Sequence, residues 1–399
     1  MASLYLHIPF CEKKCVYCDF YSIENLSPME DFLKALHHEI DVYAEYGKKT
    51  AFETIFFGGG TPSLLSPHQL ESILAHIHKV FSIESGAEVT VETNPGTVTK
   101  EKLAAFRWLG VNRLSIGVQS FHEDELKFLS RIHNSQQALE CIQFAREVGF
   151  DNLSIDLIYA LPDQSKERWE ANLQKAVALG TDHISAYGLI IEDNTPLARM
   201  VSSRIVSPKP ADEEAEFYEF TMEFLERRGF EHYEVSNYAK PGFRSRHNYN
   251  YWRHENYLSF GPSAHSFWRE NGIARRWFNI ANLSHYCSHL NENRLPLLTE
   301  EILTKEQLIT ERILLGLRSD GLNLKKLYNE FDVITPPQGV LRTSILRKES
   351  RRVESSTFGH HSIIPDLLEA GSVTLERDVL RLTRKGYLLC DEICARLLP

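Results

Sequence analysis

The stretch His7-Ile8-Pro9-Phe10-Cys11-Glu12-Lys13-Lys14-Cys15-Val16-Tyr17-Cys18-Asp19-Phe20 places three cysteines within eight positions of a 399-residue chain that holds seven in all. Spacings of four and three would align these thiols on one face of a helix. Pro9, the charged Glu12-Lys13-Lys14 and the absence of any other helical period argue against such a stripe. A structural zinc site would need a fourth ligand, for which His7 and Asp19 are the nearby candidates. An iron–sulfur cluster needs only the thiolates. Three ligands for a four-iron cluster leave one iron open, and an open iron is a place for chemistry.

The chain around this stretch is long enough, at 399 residues and 43% hydrophobic, for a sizeable core and two or three domains. No apolar run reaches the roughly 18–20 residues that span a bilayer. Met1-Ala2-Ser3-Leu4-Tyr5-Leu6-His7 enters a strand-like pattern without a basic n-region or apolar h-region, so no secretory signal and a cytoplasmic location are expected. A formal net charge of −10 gives no pull towards nucleic acid or an anionic membrane. An odd number of cysteines in such a chain disfavours a disulfide framework. Cys141 and Cys287 read as small core residues, and Cys390 with Cys394 as a buried pair on the last helix.

Six short apolar runs recur, centred on residues 4–8, 54–57, 88–92, 113–118, 153–158 and 183–187, each followed by a helical pattern. Ser27-Pro28 and Ser66-Pro67 each offer a helix cap followed by proline at the first helical position, and Ser165 precedes a helix with Trp169, Leu173, Ala176 and Val177 on one face. Strand alternating with helix predicts parallel βα units, and six repeats fit a partial (β/α)6 barrel better than a closed eightfold one. In such barrels the strands' C-terminal ends and the loops after them carry function. The cysteines follow the first strand. Gly58-Gly59-Gly60-Thr61-Pro62 follows the second, where glycines let a backbone approach a ligand.

The strand interiors show an unusual parity. Thr90, Glu92 and Asn94 share one face of the third strand, Ser115, Gly117 and Gln119 one face of the fourth, and Asp156 lies between Ile155 and Leu157 in the fifth. A carboxylate within an apolar strand needs a partner, so this parity predicts either salt bridges to helices or a cavity with a polar occupant.

From about residue 192 the rhythm stops. A long amphipathic helix over 212–228 precedes an aromatic, histidine-rich stretch that includes Arg246-His247-Asn248-Tyr249-Asn250-Tyr251-Trp252. Such aromatic density reads as packing between domains. Helices over 303–317, 324–331 and 363–370, a small hairpin over 374–382 and a final helix to Leu398 make a tail whose order is winged-helix-like. No basic recognition helix stands out in it. The expected domains are 1–195 for the barrel, 196–298 for its extension and 299–399 for the tail. Residues 336–362, rich in arginine and serine and without periodicity, read as a mobile insertion in the tail.

The Cys-x3-Cys-x2-Cys spacing resembles the signature of radical S-adenosylmethionine (SAM) enzymes, in which the open iron chelates the methionine end of SAM. The flanking His-Ile-Pro-Phe-Cys and Cys-Asp-Phe resemble the branch that contains oxygen-independent coproporphyrinogen III oxidase and its haem-chaperone relatives, the HemW-like proteins. The resemblance runs from Leu4 to about Leu398, apart from the insertion. It implies a [4Fe-4S] cluster on Cys11, Cys15 and Cys18 in an α/β radical SAM barrel of the (β/α)6 kind, with a C-terminal α+β, partly winged-helix-like domain. It implies SAM contacts from Tyr5, Tyr17, Gly59, Gly60, Thr61, Glu92, Gln119, Arg131 and Asp156. Glu92 and Asp156 would serve hydroxyls or the charged amine, and Arg131 a carboxylate.

His247-Asn248-x-x-Tyr251-Trp252 resembles the motif associated with haem in the HemW-like branch, where imidazole suits the iron and flat aromatics suit the porphyrin face. Gly261-Pro262-Ser263-Ala264-His265-Ser266 resembles the family's small-residue loop, and His254 and His265 are further ligand candidates that read more simply as structural histidines. The decarboxylating oxidase is expected to carry a fourth cysteine two positions after the third, together with an N-terminal extension. Here Phe20 stands at that position and ten residues precede Cys11, so the chaperone is favoured and the oxidase is the alternative. The implied partners are haem, the proteins that accept it, an electron donor and, peripherally, membrane haem proteins, with no nucleic acid.

Overall fold

The structure, a computed structural model, describes residues 2–48, 50–331 and 363–398. The expected insertion at 336–362 lies outside these described residues. Two compact units result, one comprising Met1–His232, Ser236–Asn250 and Glu255–Ile302, the other Tyr233–Val235, Tyr251–His254 and Leu303–Pro399.

The first unit is built on strands β1 (Ala2–Ile8), β2 (Phe52–Gly59), β3 (Ile83–Thr93), β4 (Arg113–Gln119), β5 (Asn152–Tyr159) and β6 (His183–Gly188). Each pairs in parallel with the next, giving the partial (β/α)6 barrel. One parity of every strand is apolar and buried under the helices: Leu4, Leu6 and Ile8; Ile55 and Phe57; Val89 and Val91; Leu114, Ile116 and Val118; Leu153, Ile155 and Leu157. The unbroken apolar parity under the helices is what makes the rhythm of these strands legible.

The sheet extends further than that rhythm. Strands β7 (Glu231–Glu234) and β8 (Asn237–Ala239) follow, β8 running antiparallel to β6. On the other edge β9 (Asn256–Phe260) pairs in parallel with β1, and β10 (His265–Glu270), β11 (Ile273–Asn279) and β12 (Leu297–Ile302) continue antiparallel, for twelve strands in all. The aromatic stretch after residue 230 therefore contributes strands as well as packing.

Helix starts follow local chemistry. Ser66 and Gln69 form a capping box at Pro67–Val80, and the Ser165 side chain accepts from the Arg168 amide at Lys166–Ala178. The expected Ser27 cap is not made. The helix begins at Met29 with Pro28 in the cap position and no side-chain bond.

In the second unit a capping box of Thr304 and Gln307 starts Lys305–Leu317, and Leu324–Phe331 and Ile363–Glu369 follow. A smaller antiparallel sheet joins β13 (Leu322–Asn323), β14 (Val373–Glu376) and β15 (Val379–Leu382). The turn between β14 and β15 puts Arg377 and Asp378 at φ of 50° and 67°, the conformation a two-residue hairpin of this hand requires. The final helix is broken at Leu389 into Arg384–Leu388 and Cys390–Leu397, and Cys390 and Cys394 are both buried.

Candidate functional site

The cysteines sit on a loop pinched at its base. The Cys11 amide donates to the Ile23 carbonyl at 3.0 Å, and the Ile23 amide donates to the Pro9 carbonyl at 2.8 Å. The loop after β2 clamps the same base, with the Gly60 amide on Ile8 O at 2.9 Å and the Thr61 amide on Phe10 O at 2.7 Å. The Thr61 hydroxyl then reaches Cys11 Sγ at 3.5 Å.

Each glycine of the triplet makes room for a protein neighbour. A Cβ on Gly58 would lie 2.8 Å from Tyr5, one on Gly59 2.8 Å from the His7 ring, and one on Gly60 2.6 Å from the Phe10 carbonyl oxygen. Gly59 also has φ of +104°, which side-chain-bearing residues rarely adopt. The triplet thus seats the cysteine loop on the strands.

The donor chemistry of this loop fits an iron–sulfur cluster. His7 already has both ring nitrogens engaged, Nε2 donating to the Tyr21 carbonyl at 2.8 Å and Nδ1 accepting from Tyr5 Oη at 3.3 Å, so it offers nothing to a zinc ion. Burial pushes its imidazole down to about 4. Among the described residues no three His, Cys, Asp or Glu side chains converge as ligands of a single ion would. Thiolates of a cubane cluster each take a separate iron and need no such convergence.

The polar parity of β1–β6 faces the barrel lumen. Register aligns Tyr5 with Phe56, Phe56 with Thr90, Glu92 with Ser115, Gly117 with Asp156, and Asp156 with Ser185. Glu92 is pushed up to about 8 by burial and by the charge of Asp156, against the Gly59 amide and the Arg113 charge. Asp156 is raised by burial although Ser185, Ser115, Arg113 and Arg131 oppose it, and Ser115 Oγ donates to its Oδ1 at 3.2 Å. Gln119 sits at φ of 67° beside a register shift in β4. Gly117 leaves space there: a Cβ would lie 3.0 Å from Gln119 Nε2 and 3.3 Å from Arg131 Nη2.

Arg131 ties the two regions together. Its Nη2 donates to Gly117 O at 2.7 Å and its Nη1 to Cys15 Sγ at 3.4 Å. Tyr17 packs against Leu129, Ile158 and Leu161 and hydrogen-bonds Cys15. Tyr5, Tyr17, Gly59, Gly60, Thr61, Glu92, Gln119, Arg131 and Asp156 therefore lie in one connected region with the three cysteines.

His247 and Asn248 do not join it. They lie on the helix Arg246–Trp252, which begins over the N-terminal part of the lumen. The amides of Arg246 and His247 donate to Glu88 at 3.1 Å each, and Asn250 Nδ2 donates to Ser3 Oγ at 2.6 Å. His247 is 1% exposed, with Nδ1 2.7 Å from Thr54 Oγ1 and its ring stacked on Phe56. Burial pushes this imidazole down to about 3, with the charge of Arg113 acting in the same direction. Asn248, Tyr251 and Trp252 are half-buried. His254 contacts Glu311 at 2.9 Å, and His265 stacks on Phe278.

Sequence reasoning passed over Arg113, Ser154, His183 and Ser185, which share the lumen parity. The signal was present in Arg113-x-Ser115-x-Gly117.

A model of the radical SAM superfamily matches residues 5–176, which take in the cysteine loop and β2 to β5, with β6 to β12 beyond the match. The fold is similar to that of the radical SAM enzyme coproporphyrinogen III oxidase (HemN) from Escherichia coli, with a TM-score of 0.79 and 22% identity, covering 100% of this chain and 90% of that one. The model match assigns residues 5–176 to the radical SAM superfamily, whose members carry a [4Fe-4S] cluster and SAM, and the likeness to the oxidase shows the fold. The heme chaperone HemW of Bacillus subtilis (strain 168) is 36% identical over 398 residues, 98% of each chain. That of Escherichia coli (strain K12) is 40% identical over 267 residues, 66% of this chain and 69% of the relative. Radical S-adenosyl methionine domain-containing protein 1, mitochondrial, of Mus musculus is 32% identical, covering 100% of this chain and 87% of the relative. The chain belongs to the HemW heme chaperone family.

Proposed function

We propose that this chain binds haem and passes it to acceptor proteins, with a [4Fe-4S] cluster on Cys11, Cys15 and Cys18 and SAM in the barrel lumen. The observation that carries this reading is the likeness to a protein named heme chaperone HemW along 98% of both chains. Phe20 supports it: where the oxidase is expected to have a fourth cysteine, this side chain stands 63% exposed.

Held by Cys11, Cys15 and Cys18, such a cluster would leave one iron open and would supply an electron there. The chain's own residues bind and orient. Glu92 and Asp156 receive hydroxyls or the amine of SAM, Arg131 its carboxylate, and Gly59, Gly60 and Thr61 present backbone along it. Tyr5, Tyr17 and Gln119 complete the walls. The motif His247-Asn248-x-x-Tyr251-Trp252 is the haem-associated element. Within it His247, bonded through Nδ1 to Thr54, holds the helix on the barrel. An electron donor and the haem acceptors are the remaining partners.

Anaerobic reconstitution followed by titration with haem and with coproporphyrinogen III tests the reading. A Soret band on haem addition, and no vinyl product from coproporphyrinogen III with SAM and reductant, is the expected result. Cys11→Ala, Cys15→Ala and Cys18→Ala should each abolish the broad visible absorption of the cluster, and Cys141→Ala should leave it intact. Decarboxylation at ordinary enzymatic turnover without haem binding would replace the chaperone by the oxidase.

A further inference from the structure

Arg113 begins β4 on the lumen parity and is 1% exposed. Among the described residues its Nε has no hydrogen-bond partner. Its register neighbours are Thr90 on β3 and Asn152 on β5. Both also carry buried side-chain oxygens, Thr90 Oγ1 and Asn152 Oδ1, without a partner. A buried charge is costly unless something compensates it. Here the compensation comes through space. Arg113 stands two positions before Ser115, which pairs with Glu92 and bonds Asp156, so its charge lowers the proton affinity of both acids, yet among the described residues it makes no ion pair with either. Arg113 is therefore not committed to a fixed salt bridge, and its charge is available to whatever the two carboxylates hold.

We propose that Arg113 is a positioning residue of the lumen, supplying the counter-charge that lets Glu92 and Asp156 act together as a pair of carboxylates towards a cationic ligand. The proposal rests on the reading that these two acids receive SAM, whose sulfonium and ammonium carry the positive charge. The groups facing the pair are few. Tyr5 from β1 and Arg131 from the loop after residue 128 act on the pair, while His183 from β6 and His247 from the helix Arg246–Trp252 lie within reach of Arg113. Both histidines are kept from protonating by burial and by Arg113 itself, and His183 Nδ1 lies 2.7 Å from Ser154 Oγ. Arg131 is held by Gly117 O and Cys15 Sγ. Arg113 is then the cation whose removal changes the carboxylates without breaking an ion pair of its own.

The test compares Arg113→Lys and Arg113→Met in anaerobically reconstituted protein, reading SAM affinity by equilibrium dialysis between pH 6 and 9. The methionine variant should bind SAM about tenfold more weakly at pH 7 and recover towards pH 9, because an opposite charge nearby commonly lowers a carboxyl by 1–3 pH units. The lysine variant should keep most of the wild-type profile. Infrared titration of the carboxyl band in protein without SAM should show the same upward move in the methionine variant. Arg113→Gln carries the same comparison if Arg113→Met does not fold. A neutral variant with an unmoved profile, or a lysine variant equal to it in loss, overturns the proposal. Wild-type protein with an intact cluster that binds no SAM overturns the SAM reading itself.

Discussion

Arg131 donates to the Cys15 sulfur at 3.4 Å while its other terminal nitrogen donates to the Gly117 carbonyl at 2.7 Å. One side chain, 116 positions from Cys15 in the chain, thus joins the cysteine loop to the lumen wall, a contact only the folded sheet can bring together. Arg131→Met should keep the fold, because the methylene stem still packs, and should weaken SAM by about 1–3 kcal/mol, as for loss of a charged hydrogen bond. Calorimetry on reconstituted protein checks this. Unchanged affinity would remove Arg131 from the site.

Gly60 predicts a loss of cluster without loss of any ligand. A Cβ there would meet Phe10 O at 2.6 Å and Ile8 O at 2.9 Å, backbone atoms at the base of the cysteine loop. Gly60→Ala should therefore lower iron and sulfide content after reconstitution while far-ultraviolet circular dichroism stays near wild type. Gly86→Ala is the control. At Gly86 nothing lies within 4 Å, although φ is +82°. It should cost only backbone strain, about 1–2 kcal/mol, and keep its cluster.

Glu92 links pH to both stability and binding. Burial and Asp156 raise its carboxyl from 4.5 to about 8. Between those values the folded chain holds a proton that the unfolded chain has released, so stability is lost as pH rises through the window. Glu92→Gln should flatten that part of the slope in urea melts between pH 5 and 8. The share of Glu39, which burial raises to about 7, should remain. SAM affinity should climb as pH passes 8 in the wild type and stay flat in Glu92→Gln. A wild-type affinity independent of pH would contradict the role given to this carboxyl.

The six-strand rhythm was legible because parallel strands under helices are apolar on one face throughout, as Leu114, Ile116 and Val118 show. The strands between Asn256 and Ile302 were not read, since Tyr257, Phe267, Trp268 and Trp277 look like packing residues in any fold, whereas the hairpin over 374–382 was. A local signal was nevertheless there. Asn271-Gly272, at φ of 53° and 80°, is the turn that joins β10 to β11. The glycine triplet pointed to the right loop, but its neighbours Tyr5, His7 and Phe10 come from elsewhere in sequence, and no local pattern reveals them. Nor does the spacing of His247 say which end of the barrel its helix covers. That depends on Glu88, Thr54 and Ser3 meeting it from three strands.

The placement of His247 separates anchoring from ligation. Its ring is buried against Phe56, and its Nδ1 bonds Thr54 Oγ1 at 2.7 Å. His247→Ala empties that space and strands the Thr54 hydroxyl, so it should cost about 2–4 kcal/mol of stability by analogy with other large-to-small core changes. Haem affinity should fall with it, because the helix carrying Asn248, Tyr251 and Trp252 loses its hold on β2. His247→Gln keeps a polar partner for Thr54 but removes the imidazole. If His247 acts as an anchor, the glutamine variant should retain most of both the melting temperature and the Soret band. If it ligates iron after a movement of the helix, the glutamine variant should melt normally and lose the Soret band. Thermal melts and haem titrations on the two variants, done in parallel, decide between them, and the hydrogen bond to Thr54 predicts the first outcome.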